Sequence, residues 1–419
     1  MSRPGSGVMR FAVVAATLSA CSEPALRCSG RYCGDGGGPP LADASVDASM
    51  PGDASVPRDA SVPGDASVPR DAGLSWSEPE TIASTGNVGH FPSIRVDAAG
   101  TQHVVYSYYG GAFDRASYYA RRAVGAMTWT TSDPEGSGAT DRWPSFVLDV
   151  SGAPHVVYSD DDKRRLRYAR GMPGGTTWSP RTEDVYGASA GVAPSLGIDS
   201  KGTLHAAFEF TALGDLAYAT RTSGAASWTI AGVGPGIDGG FPSLVVDSAD
   251  GIHITFQDAG AGRLMYAYRA PIGTTWTVTP IDTVGVPMHS SLAIGSDGAL
   301  HVAYWRRGSG DLVYARRAPG ATTWTVAEID TAGNVGAWPS IGVDSTGAVH
   351  IAYSDVIASA LRYATNASGT WRAIELDADG SAGGDDEGSP RSLAIDSLDH
   401  IHVVYFDATH ADLRLRVLR

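Results

Sequence analysis

Seven of the 11 histidines in this 419-residue chain recur at nearly equal steps of 52, 50, 48, 48, 49 and 52 residues: His103, His155, His205, His253, His301, His350 and His402. An imidazole titrates near neutral pH, moves protons and binds metals, so the series raises two chemical readings, a metal ring or repeated catalytic bases. Equivalence argues against both. A reactive site normally breaks the symmetry of its scaffold, whereas a hydrogen-bonding post can stand once in every unit. The same reasoning makes structural residues of the aromatics three positions after each histidine (Tyr106, Tyr158, Phe208, Phe256, Tyr304, Tyr353, Tyr405). It covers the recurring serines as well (Ser93, Ser145, Ser195, Ser243, Ser291, Ser340, Ser392).

Chemistry is therefore expected where the copies differ. Two positions before each repeat serine stand Phe91, Trp143, Ala193, Phe241, His289, Trp338 and Pro390, and Trp305 and Arg306 follow one of the repeat motifs. Rings beside carboxylates, amides and arginines suit a sugar, which stacks its apolar face on them and bonds its hydroxyls to the polar groups. Phe91, Trp143, Phe241, His289, Trp305, Arg306 and Trp338 are the candidate ligand-binding residues. The competing reading is that these aromatics plug gaps between the repeats. His90 and His289 are the only nonrepeat histidines in these lead-in loops. With Tyr108 and Arg306 they would supply a base, an acid and a carboxylate clamp. Asp377, Asp379, Asp385, Asp386 and Glu387 put five carboxylates in eleven residues. They could hold calcium through oxygen ligands, but the spacing is not that of an EF-hand loop, and a solvated acidic loop is the alternative. No other metal or cofactor is expected.

A period near fifty, repeated seven times, marks a closed ring of like units. One copy runs from Pro339-Ser340-Ile341-Gly342-Val343-Asp344 through Gly347 to His350-Ile351-Ala352-Tyr353, then Leu361-Arg362-Tyr363-Ala364 and Trp371. The first block alternates and is β-branched, hence a strand. Asp-x-x-Gly is a tight turn in which glycine supplies a positive φ and aspartate caps its own backbone. The histidine block is the second strand, Leu-x-Tyr-Ala the third, and the segment after Trp371 the fourth. Four short antiparallel strands make a propeller blade. Tryptophans mark the outer strand at Trp129, Trp178, Trp228, Trp276, Trp324 and Trp371, and the seventh copy ends before reaching one. The missing strand is found at the other end, around Trp76. An N-terminal strand is therefore expected to complete the last blade and remove the open edge. The expected fold is all-β, a seven-bladed propeller over residues 74–419.

The turn Pro319-Gly320-Ala321-Thr322-Thr323-Trp324 resembles a degenerate Asp-box of the sialidase-like, or BNR-type, propellers. It keeps Thr-Trp and lacks the Ser-x-Asp-x-Gly core. The resemblance covers nearly all of residues 74–419 and extends to BNR-type repeats of secreted bacterial proteins, some of them polysaccharide lyases. It implies the propeller fold and, for an enzyme, a lyase or glycosidase using His90, His289, Tyr108 and Arg306. The sialidase arginine-isoleucine-proline signature is absent, Ser93-Ile94-Arg95-Val96 being the nearest stretch, which argues against sialidase activity.

The N-terminus reads as an export leader. Arg3 and Arg10 precede a short apolar run, Phe11 to Leu18, too short to span a bilayer. Leu18-Ser19-Ala20-Cys21 resembles the lipobox of bacterial lipoproteins. That resemblance implies removal of residues 1–20 and acylation of Cys21, and Ser22 in place of Asp implies the outer membrane. The alternative is an ordinary signal peptide cut after Ala20. Cys28 and Cys33 would form a disulfide in an oxidising envelope or remain free thiols. The linker, 21–73, alternates Asp-Ala-Ser-Val-Pro-Arg with Asp-Ala-Ser-Val-Pro-Gly in its later part and is low in complexity. It cannot bury enough apolar surface to offset its ordering entropy. At about 3.1 Å per residue its prolines would extend it on the order of 100 Å, as a stalk.

A net charge of −14, with no basic stripe and no phosphate-cradling loop, excludes nucleic acid as a partner. The functional expectation is a monomeric, lipid-anchored envelope protein. Its propeller would recognise a glycan or a surface protein without catalysis, and a polysaccharide lyase or glycosidase is the alternative.

Overall fold

The computed structural model describes residues 75–419 apart from 112–113, 137–140, 161–162, 180–182, 188–191, 211–214, 235–238 and 382–390. Cys21, Cys28, Cys33, Asp385, Asp386 and Glu387 fall outside the described residues. Seven antiparallel sheets follow one another along the chain, and each is a blade: I spans 88–132, II 141–186, III 192–232, IV 239–282, V 287–330, VI 335–377 and VII 380–418. Blade IV is representative. Its strands are Gly239–Val246, Ile252–Asp258, Arg263–Arg269 and Thr277–Asp282, paired in that order. In blade VII the innermost position is shared by Gly380–Ser381 and Leu393–Ile395, followed by Ile401–Asp407 and Asp412–Leu418. Its outer strand is Glu80–Ala83, paired antiparallel to Asp412–Leu418. The expected N-terminal latch is thus present. Trp76 extends it by bridging Leu418, and backbone bonds join Ser75 to Arg419 and Ser77 to Val417, the shortest at 2.8 Å.

The core lies between blades, because each sheet is apolar on both faces. An apolar cluster fills every junction around the ring: Phe146 and Tyr158 with Tyr119 between I and II, and so on to Ile94 and Val104 with Leu413 and Leu415 between VII and I. The aromatics three residues after each histidine are part of this filling, and Tyr158, Phe208, Phe256, Tyr304, Tyr353 and Tyr405 are fully buried.

The repeated histidines are posts, as expected. In blade II, Asp149 accepts from His155 Nε2 at 3.3 Å, so Nδ1 must be the acceptor for the Tyr168 hydroxyl at 2.6 Å. The same Asp–His–Tyr chain stands in blades I, IV and VI. Each such tyrosine then meets the tryptophan of the next blade edge-on, with ring centroids 5.0–5.5 Å apart from Tyr119–Trp178 to Tyr363–Trp76. One relay therefore explains four repeated residue types. In blade V Gly295 replaces the turn aspartate and His301 keeps only Tyr314. In blade VII Leu415 replaces the tyrosine, and Gln102 of blade I meets His402 Nδ1 at 2.9 Å instead.

The repeat serines close the channel. The backbone N–H of the residue after one blade's serine donates to the serine of the blade before it. Leu196 donates to Ser145, Leu244 to Ser195, Leu292 to Ser243, Ile341 to Ser291 and Leu393 to Ser340, at 2.7–3.2 Å. These bonds satisfy N–H groups on the free inner edge, which would otherwise be buried unpaired.

Candidate functional site

Six of the residues two positions before the repeat serines lie within the strands, where the sequence placed them in loops, and the seventh, Pro390, falls outside the described residues. Each sits at a bulge, where the pairing slips between the two flanking positions, for example Arg142/Ser145 and Met288/Ser291. Phe91, Trp143, Ala193, Phe241, His289 and Trp338 all take left-handed backbone, with φ from 46° to 50° in five and 51° in His289. For a residue with a Cβ this costs of order 1–2 kcal/mol, so the surrounding structure must enforce it. It turns these side chains toward one another above the channel. Phe91 and Trp143 have centroids 5.7 Å apart, and Phe241 meets His289 edge-on at 4.8 Å. His289 is sandwiched between Trp305 and Trp338, near-parallel at 5.8 and 5.6 Å.

This collar is partly sealed. Phe91 is 3% exposed, His289 and Trp338 7%, Trp305 9% and Arg306 8%. Trp143 and Phe241 remain half-buried and so present a face to solvent. The gap-plugging reading thus fits four of the six candidate rings and the open reading fits two. Burial, with Arg307 close by, holds the His289 imidazole down to about 3, so it is neutral. Arg306 is committed to Asp282 at 2.8 Å and Glu328 at 2.5 Å, and Tyr304 donates to the same Asp282. The base–acid–clamp quartet does not assemble from neighbours. His90 and Tyr108 belong to blade I, and His289 and Arg306 to blade V, which is not adjacent to it. His90 is 1% exposed, bonds Asn87 Oδ1 at 2.9 Å and packs on Tyr109 and Phe406 at 4.4 Å.

The carboxylates ending the second strands also have structural partners. Asp160 accepts from Lys163 and Arg167, Asp258 from Arg263, and Asp407 from Arg414 and His410. Each also caps its hairpin by accepting a backbone N–H. Asp377 accepts from the Tyr405 hydroxyl and from the Asp379 N–H. Among the described residues no group of three or more histidines, cysteines and carboxylates is arranged to hold a metal.

One open feature contains the candidate Trp143 together with an arginine, Arg115, that the sequence did not single out. On blades I and II the Arg115 guanidinium lies 4.5 Å from the Tyr109 ring, and Arg142 lies 5.7 Å from Tyr109 and 5.6 Å from Trp143. All four side chains are half-buried. Rings and guanidiniums alternate there as planar faces, a stack favoured by cation–π attraction.

No protein-family model and no curated protein matches the chain. Solved structures match it at the level of fold. A protein of unknown function from Dyadobacter fermentans is 11% identical over 83% of this chain and 99% of its own, with a TM-score of 0.51. A fungal alcohol oxidase in complex with copper is 11% identical over 82% of this chain and 76% of its own, with a TM-score of 0.53. An ulvan lyase of a new polysaccharide lyase family is 12% identical over 80% of this chain and 93% of its own, with a TM-score of 0.51. Sialidases are also among the neighbours, one from a Hadza microbial source at 14% identity, 75% of both chains and a TM-score of 0.47. An oxidase and a lyase matching the same chain at this identity show that the likeness is one of architecture alone.

Proposed function

We propose that the propeller is a non-catalytic recognition module that binds a glycan on its lead-in face, held in the cell envelope by a lipid on Cys21. The observation that carries this reading is the stack of Arg115, Tyr109, Arg142 and Trp143, which sits on the face where the blades differ most. Half-exposed rings with guanidiniums stacked between them offer area on which a pyranose can stack, so a glycan is the favoured ligand. Binding is favoured over catalysis by the state of the proton-transfer candidates. His289 is buried and neutral, and Arg306 is paired with two carboxylates.

The test is a glycan array with the full chain beside Trp143→Ala and Arg142→Gln. Selective binding weakened by about tenfold or more in both variants is expected, as for loss of a stacking or charged anchor. A bound glycan released with an unsaturated end would make the protein a lyase. Absence of binding to any glycan would overturn the reading and leave a surface protein as the partner.

A further inference from the structure

The serine clasp around the channel is broken at two junctions, and a lone arginine stands at each, Arg95 on the inner strand of blade I and Arg391 in the turn before Leu393–Ile395. Ile94 N–H bonds the Arg391 carbonyl at 3.1 Å in place of Ser392. The hydroxyls of Ser392 and Ser93, both fully buried, have no hydrogen-bond partner among the described residues. Arg391 occupies the position held by proline in five other blades, and Arg95 the position held by Val147, Gly197, Val245, Ala293, Gly342 and Ala394.

Both arginines line a cavity of about 280 Å³ in the channel, whose other lining residues are apolar or serine. Arg391 crosses it, donating through Nη1 to the Leu196 carbonyl at 2.9 Å and through Nη2 to Ser195 Oγ and, at 2.7 Å, the Leu244 carbonyl. Arg95 donates to its neighbour, the Ile94 carbonyl, at 2.9 Å. Neither forms an ion pair among the described residues. Burial lowers Arg391 to about 9, with the charge of Arg95 adding to the effect, and burial lowers Arg95 to about 10. Two like charges thus share one space, compensated by carbonyl dipoles and one serine hydroxyl with no carboxylate beside them among the described residues, an arrangement that an anion would relieve.

We propose that the channel holds one small oxyanion between Arg95 and Arg391. Guanidinium forks match the oxygens of a carboxylate, sulfate or phosphate, and the cavity admits a group of that size. Ser243 and Ser340 line the same space, and each accepts a backbone N–H while keeping its own hydroxyl hydrogen to donate. This site is inside the ring and independent of the lead-in face.

The experiment is calorimetric titration of the full chain with inorganic phosphate at fixed ionic strength, with acetate as a second arm to separate tetrahedral oxyanions from carboxylates. One saturable site is expected, weakened about tenfold or more in Arg95→Gln, which gives up a charged donor. Arg95→Gln is the informative variant because Arg391 also braces the ring, and circular dichroism would verify that it folds. Trp143→Ala should leave the site intact, so a failed glycan array would not touch this result. No saturable binding of either anion, or affinity unchanged by Arg95→Gln, would overturn the proposal. Affinity lost in Trp143→Ala would overturn it too, by moving the site to the lead-in face.

Discussion

At the residue scale, the histidine relay sets how the protein responds to acid. Burial lowers His103, His155, His205, His253, His350 and His402 below the ordinary imidazole value, and the facing aspartate offsets this only in part. His301, without its aspartate, falls to about 4. Each is neutral when folded and binds a proton more readily when unfolded. Their contribution is therefore complete above the ordinary value near pH 6.5 and is lost as pH falls toward the folded values. Asp97, Asp149, Asp247, Asp344 and Asp396 act in the same direction. Burial raises them, but hydrogen bonds from the turn backbone and the histidine outweigh it and hold them below the ordinary carboxylate. Melting temperature should be flat above about pH 7 and fall continuously below about pH 6. A profile that stays level down to pH 5 would contradict the neutral posts. The tyrosines give a sharper test. The Tyr266 hydroxyl bonds both His253 and Arg317, at 2.7 and 2.8 Å, whereas Tyr314 bonds His301 alone at 2.7 Å. Tyr266→Phe should cost about 1–3 kcal/mol in urea unfolding, and Tyr314→Phe should cost less.

At the scale of the element, the serines predict a contrast between blades that a sequence repeat cannot show. Ser195→Ala leaves the Leu244 N–H unpaired and takes an acceptor from Arg391, so about 1–3 kcal/mol should be lost. Ser93 has no partner in the clasp, and Ser93→Ala should change the unfolding free energy in urea little, by about 0.5 kcal/mol or less. Equal effects would mean that the clasp does not bear on stability. The strands, turns, outer tryptophans and N-terminal latch were all legible in the sequence, because each rests on local periodicity or on one residue type per unit. The bulges were not. Pro92, Pro144, Pro194, Pro242 and Pro339 follow the bulge residue and bias it toward extended backbone, and nothing in the sequence announces a positive φ at Trp143 or Trp338. The exposure of the collar was equally hidden. Whether Trp338 is sealed and Trp143 open depends on His289 and Tyr109, which stand on other blades or other strands. Arg95 and Arg391 stand in the first and last repeats, and only ring closure brings them into one cavity.

At the scale of the whole molecule, the latch ties the first described residues to the last. Glu80 reaches into blade I, where Trp129 Nε1 donates to it at 2.9 Å and Arg122 also bonds it. Ile82 is buried at the junction of blades I and VII. Deleting residues 75–83 would bare the edge of Asp412–Leu418 and should lower stability by more than about 2 kcal/mol, the usual cost of losing one buried isoleucine. The bared edge should also drive concentration-dependent self-association, read by light scattering. A deletion variant that stays monomeric with unchanged melting would show that the ring closes without it.

The same closure means that no blade is first. With Ser75 N–H bonded to the Arg419 carbonyl at 2.8 Å, these two points could be joined by a few residues and the chain reopened at any Asp-x-x-Gly turn on the same rim. Such circular permutants would keep every inter-blade relay while moving the point of attachment from one blade to another. The lead-in face and the blade at which the chain enters the ring are thus separable properties of this chain.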